Sequence, residues 1–544
     1  MPGDKVDDKL KEYDYFTVEQ HIRSKAMWLG AKQIAPYEEW IYNHETLKFE
    51  KKTLEFSSAL VKTLWELTCN AIDASIKNKN VRNIALGFDR KTETFSIFND
   101  GGSIPIIFDK RVNQYLPTAI ATNPFSGSNL KDDKQRRTGG TNGLGLKLCN
   151  FFASKLLLEA YDGKYGFAQT FSERMKKISE PVVVKWADLD KEYQFQRVYI
   201  EYTPFWKGFS YDEKPSVSQL KDIERIVEAM AYQTAAYVRD NITVKFNDKE
   251  IKVKSLQDYA KKFCDMSVSV TLKHKTDPWD LIVGVHDGGS PEYQTFVNGI
   301  YVRAGDHIKK VETLIVDALK DKTQRILKEN KTTRFNRNMI LNHLFIFIRG
   351  NIPDPEFDGQ RKDTLRKPQI AFKDYVLPPA FINKLWSILQ DQILATYAQK
   401  QLDTDQQYNK KKRLNIPDLR DADAVLDGCN SKDTRLIISE GNTADTMVRR
   451  LLLSNKKLGF KNYGTYNLRG VPVNARRMTK VVRNVKIRDK KWDAETNRLR
   501  NLAIILGLDF GKTYENPEDI KTLRYGGAIM AVDQDIDGVG NIMS

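Results

Sequence analysis

Thr138-Gly139-Gly140-Thr141-Asn142-Gly143-Leu144-Gly145-Leu146-Lys147 sets four glycines just ahead of Leu148, Phe151, Phe152 and Leu156, an apolar series at helical spacing. A glycine loop running into a helix suits phosphate. Glycine lets backbone N–H groups approach an anion closely, and the helix N-terminus favours negative charge. A lone G-x-G pattern decides nothing, so the reading turns on what precedes it.

Upstream, Leu60, Leu64, Leu67 and Ala71 recur at helical spacing and make Ser57 to Lys79 an amphipathic helix packed on a sheet. Glu66, Asn70 and Asp73 follow at i, i+4 and i+7, which stacks them on one flank. In isolation such a row is a solvated helix face. Next, Ile84 to Asp89 and Thr92 to Phe98 read as a hairpin around Arg90-Lys91. It runs into Asn99-Asp100-Gly101-Gly102-Ser103-Ile104-Pro105, a strand closing in a glycine turn. Polar flank, Asn turn and glycine loop, in that order, outweigh the solvated-face reading.

These three segments resemble the nucleotide-binding motifs of the GHKL ATPase superfamily, which includes type II topoisomerases, gyrase B subunits, mismatch-repair ATPases and heat-shock chaperones. The resemblance implies ATP with Mg²⁺, Glu66 as the base that activates water, and Asn70 as the residue holding Mg²⁺ against the phosphates. It implies that Asn99 hydrogen-bonds adenine, as in eukaryotic-type enzymes, where bacterial ones carry Asp. Ser128 and Asn129 match groups reaching ribose and phosphate, and Gly140, Thr141, Asn142, Gly143, Leu144, Gly145, Leu146 and Lys147 match the phosphate cradle. Ser103 replaces the second glycine of the family's turn. Further on, Phe357-Asp358-Gly359-Gln360-Arg361-Lys362-Asp363-Thr364-Leu365 resembles the Q-x-K loop of type II topoisomerases. By that match Lys362 reaches the γ-phosphate and Gln360 helps to hold it, while Arg361 stands where Thr is usual. Without the upstream site the loop reads as basic surface.

Two apolar runs, Leu436-Ile437-Ile438-Ser439-Glu440-Gly441 and Ile529-Met530-Ala531-Val532-Asp533-Gln534-Asp535-Ile536-Asp537-Gly538, each end in carboxylate and glycine. Buried parallel strands would deliver such acids to one sheet edge, where they suit Mg²⁺. The first resembles the E-G-D-S-A motif of a TOPRIM domain, with Asn442 for the usual Asp, and the second its D-x-D-x-D-G. The match implies that Glu440, Asp533 and Asp535 ligate catalytic Mg²⁺, with Asp537 supporting a second ion. Asn467-Leu468-Arg469-Gly470-Val471-Pro472-Val473-Asn474 resembles the family's P-L-R-G-K-x-L-N element. The basic run from Arg476 to Lys491 interleaves only Asp489 and is read as a DNA-backbone contact. Lys322 to Arg337 reads equally as DNA-facing or as a solvated helix.

Composition agrees with a polyanionic partner. The 544 residues are 41% hydrophobic, with 87 Lys and Arg against 71 Asp and Glu, a net charge of +16. No stretch approaches the ~20 apolar residues of a membrane span. The opening Met1-Pro2-Gly3-Asp4-Lys5 is not a signal peptide, and Cys69, Cys149, Cys264 and Cys429 lack the spacing of a disulfide framework or zinc site. A nuclear, cytoplasmic or viral intracellular enzyme is expected, with double-stranded DNA as partner and no membrane.

The expected fold class is α+β and α/β multidomain: a GHKL ATPase α/β sandwich, a transducer and a partial Rossmann-like TOPRIM domain. The boundaries read as an N-terminal arm over 1–30, ATPase over 31–250, transducer over 251–402, linker over 403–423 and partial TOPRIM over 424–544. Gln294-Thr295-Phe296-Val297-Asn298-Gly299 and Phe345-Ile346-Phe347-Ile348 read as alternating strands of the transducer. The function implied is ATP-driven dimer closure coupled to DNA strand passage, in a homodimer. Cleavage would need a tyrosine-bearing region supplied in cis or as a separate subunit. A non-cleaving ATP-dependent DNA clamp is the alternative. It shares the nucleotide site and makes the distal acids dispensable.

Overall fold

The computed structural model describes residues 15–24, 28–127, 137–140, 143–272, 279–286, 289–329, 335–359, 361–366, 375–393, 414, 416–427, 431–455, 458–468, 501–508 and 514–531. The chain divides into two compact units, Met1–Ile393 and Leu394–Ser544.

In the first unit an antiparallel hairpin, β1 (Ile34–Asn43) and β2 (Lys48–Ser57), leads directly into helix α1 (Ser58–Lys77). Leu60, Leu64, Leu67 and Ala71 are buried along α1, as their spacing requires. The helix ends at Asn78, whose Oδ1 accepts from the Asn80 amide at 2.9 Å and whose Nδ2 donates to the Gly101 carbonyl. The helix terminus is thereby fastened to the Asn99–Ser103 turn.

Strands β3 (Asn83–Asp89) and β4 (Thr94–Asp100) form the expected hairpin, with Ile84 opposite Asn99. They sit in a large sheet with β5 (Ala153–Tyr161), β6 (Tyr165–Ser172), β7 (Lys177–Ile178), β8 (Val182–Lys185), β9 (Arg197–Pro204), β10 (Thr243–Phe246) and β11 (Lys249–Glu250). Among the described residues the order is β8-β6-β5-β9-β4-β3-β10-β11, with β7 beside β6. Helix α2 (Gly145–Phe151) packs on α1, and helix α3 (Val217–Tyr237) packs on β3 and β10. A reciprocal capping box starts α3: the Ser216 hydroxyl accepts from the Gln219 amide at 3.2 Å, and the Gln219 side chain accepts from the Ser216 amide at 2.9 Å.

The second sheet of this unit has the order β12 (Ser267–Leu272), β13 (Trp279–Val285), β16 (Leu344–Gly350), β14 (Glu292–Val297) and β15 (Ile300–Tyr301). Its central strands depart from the expected alternation, because both faces are covered. Ile282, Phe296, Phe345 and Phe347 join the core beneath the large sheet, while Leu281, Val283, Val297, Leu344, Ile346 and Ile348 join a second core. Burying each such side chain contributes roughly 1.5–3 kcal/mol. Even Gln294 is fully buried, where its Oε1 accepts from the Tyr259 hydroxyl at 3.0 Å. The expected strand from Gln294 stops at Val297: Asn298 and Gly299, both at positive φ, make the tight turn into β15.

The second unit carries a four-stranded sheet among its described residues, in the order β17 (Leu419–Arg420), β19 (Tyr463–Asn467), β18 (Arg435–Ser439) and β20 (Ala528–Ala531). Strand β18 is parallel to both β19 and β20. The stretch expected to be linker ends before residue 423, since β17 is already a sheet strand and Asp421 and Ala422 are buried. Asp421 Oδ2 pairs with Arg524 at 2.7 Å, and its Oδ1 accepts from the Tyr525 hydroxyl at 2.9 Å. β18 is largely buried, but β20 is not: it closes the sheet order, and Ile529 is 43% exposed.

Candidate active site

Helix α1 brings Glu66 and Asp73 into the interior and leaves Asn70, one turn on from Glu66, exposed on the same flank. Burying carboxylates is costly unless they are paired, and both are paired. Asp73 Oδ1 accepts from the Gly139 amide and Oδ2 from the Gly140 amide, each at 3.0 Å. Burial raises the Asp73 pKa, and the two amides partly offset that rise. Lys62 Nζ lies 2.9 Å from Glu66 Oε1, with both side chains about a tenth exposed at 11% and 7%. Burial pushes the Glu66 carboxyl upward, but Lys62 and then Lys362 outweigh it and hold the group below its ordinary range.

The glycine loop closes over this flank. A Cβ at Gly145 would stand 2.5 Å from Glu66 Oε2, so the absence of a side chain is what admits the carboxylate there. Gly143 has φ +57°, and a Cβ on it would meet the Ser126 carbonyl at 2.6 Å. Lys147 is buried and donates to that same Ser126 carbonyl at 2.6 Å. Desolvation lowers its pKa to about 7. A carbonyl offers an ammonium only partial compensation, so an anion entering here would be drawn to Lys147. Leu144 and Leu146 are buried in the core and anchor the loop.

Asn99 is the next-to-last residue of β4 and is 4% exposed, its Nδ2 donating to the carbonyls of Asp100 at 3.2 Å and Gly102 at 3.3 Å. Ser103, in place of a glycine, is accommodated by donating to the Arg197 carbonyl at 3.1 Å. From far along the chain, the segment around Lys362 returns to the same place. A bridge between Phe357 and Leu365 closes it into a loop, the Lys362 amide donates to the Gly359 carbonyl at 3.1 Å, and Lys362 adopts φ +57°. Its side chain is 6% exposed, and its charge acts on Glu66 and Asp73. Arg361 pairs with Asp363 at 2.9 Å and lies against Gly30, which has φ +96°.

The first unit therefore gathers Glu66, Asp73, Gly140, Gly143, Gly145, Lys147 and Lys362 around helix α1. Ser128, Asn129, Thr141, Asn142 and Gln360 lie outside the described residues, as do Asp533, Asp535, Asp537 and the basic run Arg476 to Lys491. In the second unit Glu440 directly follows β18, and its amide donates to the carbonyl of Ala531, the last residue of β20, at 3.3 Å. The parallel register sets Ser439 beside Ala531, so both strands end at one sheet edge. Sequence reading gave no role to two residues. Asp73 stood out only by its spacing, and Lys62, at i−4 from Glu66, carried no signal beyond that of an ordinary helical ion pair.

Comparison with known proteins agrees with this arrangement. A family model described as DNA gyrase B matches residues 234–413. DNA topoisomerase 2 of Caenorhabditis elegans is 30% identical over 521 residues, covering 92% of this chain and 32% of that protein. The DNA topoisomerase 2 of African swine fever virus (isolate Tick/South Africa/Pretoriuskop Pr4/1996) is 27% identical, covering 98% of this chain and 46% of its own length. The chain thus spans about a third of the nematode relative and less than half of the viral one. The fold matches the ATPase region of Saccharomyces cerevisiae topoisomerase II with TM-score 0.63 and 24% identity, over 71% of this chain and 99% of that one. It also matches the ATPase and transducer domains of DNA topoisomerase II from Balamuthia mandrillaris, with TM-score 0.64 and 24% identity, over 72% and 99%. On this sequence and structural evidence the chain belongs to the type IIA DNA topoisomerases, and its first unit has the GHKL ATPase fold of that family.

Proposed function

We propose that this chain binds and hydrolyses ATP as the nucleotide-dependent part of a type II DNA topoisomerase, with ATP-driven closure of a homodimer coupled to passage of double-stranded DNA. The observation that carries the reading is the meeting at Glu66 of three separate elements: its own helix through Lys62, the glycine loop through Gly145, and the Lys362 segment. Little covalent chemistry falls to the protein in phosphoryl transfer, so positioning and charge do most of the work. In this reading the loop from Gly140 to Lys147 cradles the phosphates and Asn99 bonds the adenine edge. Lys362, with Gln360, takes the γ-phosphate. Glu66 orients and deprotonates the attacking water, while Ser128 and Asn129 reach ribose and phosphate. Asn70 offers an exposed carboxamide oxygen on the Glu66 flank, a donor suited to Mg²⁺, which when bound would offset phosphate charge.

The second unit is assigned to a TOPRIM-type metal site for DNA cleavage and religation, built from Glu440, Asp533, Asp535 and Asp537. The parallel ends of β18 and β20 support that assignment. The cleaving tyrosine would come from a region in cis or from a separate subunit. The decisive test is steady-state ATP hydrolysis beside binding of a non-hydrolysable ATP analogue. Glu66→Ala should lose turnover by about 10²-fold or more and keep analogue binding, as expected for a general base. Lys362→Ala should lose about 10–10³-fold in turnover. Normal hydrolysis by Glu66→Ala would remove the assigned base.

A further inference from the structure

We propose that Arg361 is a positioning residue, seating the Lys362 loop on the Gly30–Ala31 step so that the docked N-terminal segment sets where Lys362 stands in the nucleotide site. The inference rests on the assignment of Lys362 to the γ-phosphate and adds Arg361 and Gly30, which that assignment does not require.

Lys362 is held in a conformation that a lysine does not adopt unaided. Its φ of +57° lies in the left-handed region, which is unfavourable for a residue with a side chain and persists only where the surroundings hold it. Both neighbours of the lysine supply a hold. On one side the Asp363 carbonyl accepts from the amides of Arg303 at 3.0 Å and Ala304 at 3.2 Å, which fastens the loop to the segment that follows β15. On the other, Arg361 pairs with the Asp363 carboxylate at 2.9 Å and lies along the Gly30 backbone, where a Cβ would meet its Nε at 3.1 Å and its Cδ and Cζ at 3.2 Å. Gly30 also has φ +96°, so a side chain is disfavoured there on two grounds. The ion pair does not explain this arrangement by its stability. With Arg361 46% and Asp363 42% exposed, water screens the attraction and the pair contributes little. Its effect is geometric: it bridges the two residues that flank Lys362 and lays the guanidinium against Gly30.

Gly30 is itself firmly placed. Ahead of it Ile22 and Leu29 are buried in the core, and Arg23 of the short helix Val18–Ser24 donates to the Arg174 carbonyl at 2.7 Å, with its guanidinium 5.6 Å from the centre of the Phe151 ring in α2. The next carbonyl, that of Ala31, accepts from the Ala59 amide at 3.0 Å and from the Ser58 hydroxyl at 3.1 Å, in the first turn of α1. One step of backbone thus touches the start of the helix that bears Glu66 and the loop that bears Lys362. The glycine loop has its own anchor on Asp73. Loosening the Gly30 contact therefore displaces the γ-phosphate lysine and leaves the rest of the phosphate site in place.

The test measures, on the full chain, kcat for ATP, thermal melting and the affinities for a non-hydrolysable ATP analogue and for ADP. ADP lacks the γ-phosphate, so the ratio of the two affinities reads the placement of Lys362, whereas a general loss of folding lowers both alike. Arg361→Ala and Arg361→Thr should each lower that ratio and kcat by about fivefold or more, with ADP affinity within about twofold. Arg361→Lys, which keeps the cation and the stem, should restore most of the loss. Gly30→Ala should lower the ratio to a similar extent yet add less than about twofold to the effect of Arg361→Ala, because the two act through one contact. An unchanged ratio in Arg361→Ala overturns the proposal, as do equal losses of analogue and ADP affinity, or effects of Gly30→Ala and Arg361→Ala that multiply. Should Gly30→Ala fail to fold, Gly30→Asn takes its place in the pair, since asparagine tolerates positive φ better than most side chains, and failure of both to fold also overturns it. Lys362→Ala separates the layers: if it leaves the ratio intact, the γ-phosphate assignment fails, and if it lowers the ratio while Arg361→Ala does not, only the role of Arg361 fails.

Discussion

Asp73 and Gly139, 66 positions apart, are joined by a 3.0 Å hydrogen bond from the glycine amide to the buried carboxylate. The second oxygen does the same for Gly140, so one helical side chain sets where the glycine loop begins. Asp73→Ala should cost about 1–3 kcal/mol of stability by leaving two amides without their acceptor. It should also weaken analogue binding by about tenfold, because the loop loses its anchor. Thermal melting and analogue titration check the two effects, and a variant with native affinity would show that the loop is placed by other contacts.

Gly145→Ala tests the other side of the site. A methyl group 2.5 Å from Glu66 Oε2 cannot be accommodated without moving the carboxylate or the loop. Turnover should fall by about tenfold or more, with a smaller effect on analogue affinity. Equal losses in both would point to collapse of the loop instead.

Lys147 supplies a pH dependence. Its pKa falls from the ordinary 10.5 to about 7 because the ammonium is desolvated. Between those values the unfolded chain binds a proton that the folded chain does not, so stability should rise with pH across this window. Below about pH 7 both states are protonated and the burial penalty is present in full. Lys147→Met should flatten the rise, read from thermal melting on either side of pH 7. Phosphate beside Lys147 favours its charged form, so above that pH analogue binding should take up protons. Calorimetry in buffers of different ionisation enthalpy measures this, and no uptake would place the lysine away from the phosphates.

Where the local pattern matched the tertiary environment, the sequence was legible. The spacing of Leu60, Leu64, Leu67 and Ala71 marked α1 because one face of it is buried. The hairpin of β3 and β4 followed from period-two burial on either side of a polar turn. The double-sided burial of β14 and β16 was not legible, since Gln294 and Thr295 look like solvent-facing residues until Tyr259 and His307 pair with them. Lys62 was hidden for a related reason. A helical lysine is solvated by default, and its burial appears only with the whole fold assembled around α1.

Glu440 and Ala531 carry the last prediction. Their 3.3 Å hydrogen bond and the Ser439–Ala531 register bring the start of the E-G-N-T-A motif beside the strand from which Asp533 follows two residues later. If these acids hold Mg²⁺ for cleavage, Glu440→Gln and Asp533→Asn should each abolish metal-dependent DNA cleavage once the tyrosine-bearing region is supplied. ATP turnover measured without DNA should stay within about twofold, because both positions belong to the other compact unit of the chain. Raising Mg²⁺ should partly restore cleavage to Asp533→Asn, which keeps an oxygen donor and loses one charge. Cleavage at the native level in both variants would favour the clamp reading, in which ATP closes two copies around duplex DNA and the distal acids are dispensable.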